Sequence, residues 1–218
     1  MPNYAIGIDL GGTKILTGLV DKETGKVEYF TKHKTRAENG ADYVINKIIQ
    51  SINELLEATK LDIHQISSIG IGAPGQVNRE KGILINAPNL NCSNINLKAI
   101  LERQFFIPTF LGNDVGIATV GEMKFGSGVG FNNIVCVFVG TGIGSGIAKD
   151  GKIYYGSSGT AGEIGHIIVD AGGRPCGCGG NGCLEAYASR TAIEHRITGA
   201  LKKGRESVIT ELLKDGKR

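Results

Sequence analysis

Apolar residues alternate with small or polar ones over 4–9, 15–20 and 26–33, and the stretches between them are rich in glycine and charge. A period of two, bounded by turn residues, predicts three strands of a meander. The spacing then changes. Val44, Ile45, Ile48, Ile49, Ile52, Leu55 and Leu56 recur at three- and four-residue intervals, which predicts an amphipathic helix over 41–59. A buried strand over 66–72 follows, then a short helix over 97–103, a short strand over 109–111 and a helix over 115–124. Strands alternating with helices in this way place the chain in the α/β class.

From residue 134 the opening design returns: an apolar strand over 134–139, the turn Gly140-Thr141-Gly142-Ile143-Gly144, a second apolar strand over 145–149, then an Asp-Gly turn. Glycine-rich hairpins are common, so the repeat alone leaves coincidence open. Taken as real, it predicts two similar domains, 1–112 and 113–218, with the cleft between them as the natural ligand site. A last helix is expected over 206–214.

Composition narrows the class. Glycine supplies 34 of 218 residues, more than twice its usual share of about 7%, without a collagen period or a Ser/Gln-rich tract, so the glycines mark turns. No apolar run reaches the roughly 20 residues that cross a bilayer, and the first residues lack the basic region and cleavage site of a signal peptide; a cytoplasmic protein without membrane contact is expected. The formal charge of +3 is concentrated in 202–218, where six Lys or Arg face three Asp or Glu. Such a tail is ordinarily a solvated surface, and without interleaved aromatics nucleic-acid binding is not expected.

The chemistry gathers in three places. Asp9-Leu10-Gly11-Gly12-Thr13-Lys14 sets a carboxylate at a strand end and follows it with a turn free of bulk. Backbone N–H groups and Thr13 could there approach a polyphosphate while Asp9 holds Mg²⁺ directly or through water. The spacing is not that of a P-loop. The second turn, with Gly140, Thr141, Gly142 and Gly144, could embrace phosphates likewise, although Phe138 stands where the first copy has Asp9. An ordinary hairpin turn is the alternative for each. Gly112-Asn113-Asp114 lies at a strand end ahead of a helix, where Asp114 could accept the proton of an attacking hydroxyl or merely cap the helix.

The third place is 163–185. His166, Cys176, Cys178 and Cys183 form a Cys₃His set that would fill a tetrahedral Zn²⁺ and leave no position for an activated water, so the metal, spanning a loop over 166–183, would be structural. Disulfides or free thiols are the alternative. A ligating imidazole keeps its other nitrogen as an oriented donor, and Glu163 and Glu185 bracket the loop, a combination of donors and acceptors suited to sugar hydroxyls. Surface charges would be the bland reading of the two glutamates.

These pieces resemble the ROK family, most of all its bacterial sugar kinases: IGIDLGGTK at the start, IGIGAPGQV over 69–77, APNL over 87–90, GNDV over 112–115, VGTGIGSGI over 139–147, then AGEIGH and CGCGGNGCLE. The resemblance implies the actin-like ATPase, ribonuclease H-like fold in two similar domains, the second incomplete here. It implies ATP-dependent phosphorylation of a hexose, glucose on its sixth carbon, with Asp114 as general base. Gly75, Asn113, Asp114, Glu163, His166 and Glu185 would contact the sugar. Asp9, Gly11, Gly12, Thr13, Lys14 and the Gly140, Thr141, Gly142, Gly144 turn would hold the phosphates and Mg²⁺. Family kinases continue well past this length, with an adenosine-binding turn that has no counterpart after Glu185, so a fragment is expected. The family also contains sugar-sensing repressors with an N-terminal DNA-binding module, for which a phosphate turn at residue 9 leaves no room. An inactive sugar-binding fragment, a polyphosphate donor and a homodimer stay open.

Overall fold

The computed structural model describes residues 3–157 and 159–214, with the side chains of 213 and 214 left aside. Residues 215–218, the end of the basic tail, lie outside the described residues. The chain forms two compact units, one of 1–134 with 148–153 and one of 135–147 with 154–218.

The first unit opens with the expected meander: β1 (Tyr4–Leu10), β2 (Lys14–Asp21) and β3 (Val27–Lys34), paired antiparallel. Alternation works as the pattern requires, with Ile6, Ile8 and Leu10 of β1 buried on one face. The helix α1 (Ala41–Thr59) follows and packs on β2 and β3 through Val44, Ile48, Ile52 and Leu55. Ser51 on the same face is buried without cost in unpaired polar groups, since its hydroxyl bonds Thr17 Oγ1 at 2.7 Å and donates to Ile48 O at 2.8 Å. Chain then crosses to β4 (Ile66–Ala73), parallel to β1.

Three short strands come next, β5 (Gln76–Asn78), β6 (Ile83–Ala87) and β7 (Cys92–Asn96), forming a small antiparallel sheet that periodicity did not reveal. Strands this short hold too few alternations to register as a pattern. The helix α2 (Leu97–Phe105) is capped by Asn96, and β8 (Thr109–Asn113) joins β4 in parallel. The main sheet therefore runs β3-β2-β1-β4-β8. Its core is one aliphatic cluster of Ile6, Ile15, Ile48, Ile52, Ile69, Ile71 and Leu101, among others, all fully buried. The helix α3 (Asp114–Phe125) packs on β4 and β8, so it lies in the first unit although a domain boundary was expected just ahead of it.

The repeated hairpin is present. Strands β9 (Ile134–Val139), β10 (Ile143–Lys149) and β11 (Lys152–Ile153) form a sheet in the order β11-β10-β9, the same order as β3-β2-β1. Only alternate residues of β9 turn inward; Val135, Val137 and Val139 are exposed. The second unit continues through a glycine-rich loop into α4 (Glu185–Ala188), α5 (Arg190–Lys202) and α6 (Val208–Lys214). Of these, only the last was expected from the sequence. Among the described residues no helix is long and apolar enough to cross a membrane.

Candidate functional site

In the first unit the parallel strands β1, β4 and β8 end together, which in open α/β sheets is where ligands bind. Asp9 of β1 stands level with Gly72 of β4, which stands level with Gly112 of β8. Asn113 and Asp114 follow one step beyond. Gly72 leaves this row open: a Cβ there would lie 3.4 Å from Asp114 Cα, and a larger side chain would press on it.

Asp9 senses the charge of Asp114. Asp9 is exposed to solvent on one side, yet desolvation by the surrounding strand ends holds its carboxyl above the ordinary carboxylate range, and the charge of Asp114 raises it further while Lys14 works the other way. Asp114 is half-buried at the first turn of α3, its Oδ1 accepting from Val115 N at 2.8 Å. The cap is its neighbour: Asn113 Oδ1 accepts from Gly116 N at 3.2 Å, while Asn113 Nδ2 donates to Gly75 O at 3.3 Å. Asp114 is thus not the capping residue that local sequence allowed.

Gly75 has a φ of 84°, a conformation glycine adopts freely, and a Cβ there would overlap Asn86 O on β6. The Asn113 bond to Gly75 O ties the end of β8 to the start of the small sheet.

The turn 10–14 is shaped from outside as well as within. Gly11 N donates to Lys14 O at 2.9 Å, closing the turn. Thr35, fully buried just past β3, then grips both its arms: Thr35 Oγ1 donates to Gly11 O at 2.6 Å and Thr35 N to Thr13 O at 3.0 Å. Gly12 packs against Asn89, whose backbone oxygen would be 3.0 Å from a Cβ. Neither Thr35 nor Asn89 was singled out from sequence; both act across 20 residues or more of chain, where local spacing carries no signal.

In the second unit the four expected metal ligands come together. His166, Cys176, Cys178 and Cys183 each turn a ligand atom to one spot, all within 4.8 Å of one another. Cys178 Sγ and Cys183 Sγ are 3.8 Å apart, and Cys176 Sγ is 3.7 Å from His166 Nδ1. With Zn–S near 2.3 Å, a tetrahedral zinc sets sulfur–sulfur edges of about 3.8 Å, so the donor set fits the ion. Burial, together with the neighbouring thiols of Cys178 and Cys176, pushes Cys183 up to about 11, whereas a backbone N–H and the neighbouring thiols lower Cys178. A divalent cation is the charge that would let all three exist as thiolates side by side.

The loop around them is tightly pinned. Cys176 N donates to Gly180 O at 2.8 Å, Gly179 N to Cys176 O at 3.0 Å and Gly182 N to Arg174 O at 2.8 Å. Gly182, at φ 79°, approaches Asp170 O so closely that no side chain fits. Tyr187 braces the outside, donating to Asp170 Oδ2 at 2.7 Å, accepting from Arg174 N at 2.8 Å and carrying the Arg174 guanidinium over its ring at 4.7 Å. No sequence motif pointed to Tyr187.

The imidazole of His166 shows Nδ1 to the sulfurs and Nε2 to Glu163, 3.9 Å from its Oε2. Glu163 is exposed, whereas Glu185 is half-buried and already engaged: its Oε2 accepts from Ile143 N at 2.8 Å and its Oε1 lies 3.7 Å from Cys176 Sγ. Gly142 permits this, since a Cβ there would overlap that same Oε2. The second glycine turn is therefore tied through Glu185 to the metal loop, and Arg190 and Thr191 grip it from α5. Gly162 and Gly165 of AGEIGH press equally closely on Ser145 O and Ile143 O of β10.

The family model described as ROK family matches residues 5–218. A glucokinase of Thermotoga maritima is 38% identical over 208 residues, 95% of this chain and 64% of that protein. The xylose repressor of Bacillus subtilis is 32% identical over 190 residues, 87% of this chain and 49% of that protein. Among solved structures, a ROK family glucokinase from Streptomyces griseus in complex with glucose and AMPPNP superposes with a TM-score of 0.76 at 35% identity, covering 88% of this chain and 59% of that one. A ROK family transcriptional regulator homologous to the MLC protein of E. coli gives 0.82 at 32% identity, covering 94% and 51%. The chain spans between about half and two thirds of the length of these relatives. With them it shares the actin-like ATPase fold.

Proposed function

Because the chain belongs to the ROK family, we propose that it carries the sugar and phosphate machinery of an ATP-dependent hexose kinase, with glucose as acceptor. The observation that supports this most is the pair Asp9 and Asp114, set at the ends of β1 and β8 close enough for one charge to raise the other's proton affinity. A lone capping aspartate would need no such partner.

Asp114 accepts the proton of the acceptor hydroxyl as that oxygen attacks the γ-phosphorus, and the bond from phosphorus to the bridging oxygen of ADP breaks. Asn113, fixed as the cap of α3 and by its bond to Gly75 O, offers the hydroxyls an oriented amide. The turn Gly11-Gly12-Thr13 with Lys14 receives phosphate oxygens, and Asp9 would hold Mg²⁺, which when bound neutralises charge on the phosphates. In the second unit, Glu163 and the Nε2 side of His166 have the donors and acceptors suited to sugar hydroxyls. Zn²⁺, held by His166, Cys176, Cys178 and Cys183, supplies rigidity and orients the imidazole; no chemical step passes through it.

ADP formation, followed with glucose, fructose, N-acetylglucosamine and N-acetylmannosamine in turn, tests the reading. Sugar-dependent ADP formation, greatest with glucose, is expected; none with any sugar would end it. The likeness to xylose repressors favours a second reading, a sugar-responsive regulator, which salt-dependent binding to promoter DNA would reveal.

A further inference from the structure

The second glycine turn would be a poor phosphate cradle if it relied on all of its backbone. Gly140 N is turned inward to Gly142 O at 2.9 Å, and Ile143 N is taken by the Glu185 carboxylate at 2.8 Å. Two of its donors are thus spent on the protein, and a negative charge stands directly behind it. An anion arriving here needs a cation from elsewhere.

Arg190 is placed to be that cation. It is the first residue of α5, and its own N–H donates to Gly140 O at 2.9 Å, so its backbone is locked to the turn. Next to it, Thr191 Oγ1 donates to Thr141 O at 2.9 Å, which fixes the other side of the turn. The guanidinium then lies along the turn, Nη2 donating to Thr141 Oγ1 at 3.3 Å. Among the described residues its ion pair is one of 3.6 Å from Nε to Glu194 Oε1, one turn along the helix, between side chains 64% and 63% exposed. Such an exposed pair is weak and readily exchanged for a better anion. Thr141 Oγ1 accepts from Arg190, which leaves its own O–H available as a donor. The result is a paired guanidinium and hydroxyl on an otherwise bare turn, at which a Cβ added to Gly140 would meet nothing within 4 Å.

We propose that Arg190, docked on Thr141, binds a phosphate group of the phosphate donor at the second turn. This deepens the kinase reading and rests on it for the donor's identity. A planar guanidinium can take two phosphate oxygens at once, and a cation at the transferred group is a recurrent means of stabilising charge in phosphoryl transfer.

The test uses inorganic tripolyphosphate, ATP, AMP and glucose as calorimetric probes on the wild-type protein, Arg190→Met and Arg190→Lys, beside ADP formation by each. Arg190→Met is expected to weaken tripolyphosphate and ATP about tenfold or more while AMP, glucose, zinc content and melting temperature stay unchanged, with partial recovery in Arg190→Lys. Unchanged tripolyphosphate affinity in Arg190→Met overturns the proposal, as does an equal loss for every probe, which would mark a merely structural arginine. The two readings fail separately. Arg190-dependent tripolyphosphate binding without sugar-dependent ADP formation removes the kinase and keeps the anion site; sugar-dependent ADP formation indifferent to Arg190 does the reverse.

Discussion

Asp21 shows how a single side chain can order a turn that the hydrophobic pattern leaves blank. Its Oδ1 accepts from Glu23 N at 3.0 Å, from Thr24 N at 2.8 Å and from the Thr24 hydroxyl at 2.8 Å, closing the connection between β2 and β3. Those bonds, with Lys26 adding a smaller share, hold its carboxyl below the ordinary range. A depressed carboxylate favours the folded state at pH values above its unfolded pKa, and that contribution disappears as the pH falls through the folded value. Titration by NMR should therefore find Asp21 below its peptide value, and Asp21→Asn should lower the melting temperature at neutral pH but not at pH 2. An equal difference at both pH values would show that the effect is not electrostatic. Gly75 was legible from its motif, while Thr35 was not, because its two bonds to the turn join segments more than 20 residues apart.

Among elements, those with long periods were the readable ones. The helix expected over 41–59 is α1, and the strands expected over 4–9, 15–20 and 26–33 match β1 to β3 within a few residues. The sheet β5-β6-β7 escaped because its strands are three to five residues long. α5 escaped for another reason: Ala192 is its one buried residue among those described, so it has almost no apolar stripe to detect. The cysteine loop lies at the opposite extreme, since residue types alone announced it. Its backbone is pinned by glycines and by Tyr187, and its centre gathers three sulfurs and an imidazole that could hold a cation. The purified protein is expected to contain one zinc per chain by elemental analysis. Removing it, or substituting Cys183→Ser, should speed hydrogen exchange over 166–185 while β1 to β4 stay protected. Structural zinc contributes on the order of 10–16 kcal/mol in small peptides, so a loop equally protected with and without metal would contradict its role.

At the scale of the molecule, the recurrence of one strand order, β3-β2-β1 and β11-β10-β9, accounts for the two Gly-Thr turns and for the membership of the chain in a family of actin-like fold. The copies have diverged where chemistry differs. The first keeps Asp9, whose carboxyl senses the charge of Asp114; the second replaces that aspartate by Phe138 and binds its turn to Glu185 and Arg190. Sequence displayed the repeat but not this division, because the bonds that separate the turns come from residues 42 and 49 positions away. Domain limits were hidden for a similar reason: α3 lies past the boundary that the repeat suggested, yet its packing partners are β4 and β8.

In the proposed reaction Asp114 is the group that takes the proton from the sugar. Its most direct test compares Asp114→Asn with the wild type for both turnover and glucose affinity. Asparagine keeps the size and much of the hydrogen bonding but has no basicity, so turnover should fall by about two orders of magnitude or more while the glucose dissociation constant changes by less than about fivefold. Turnover in Asp114→Asn equal to that of the wild type would contradict the account.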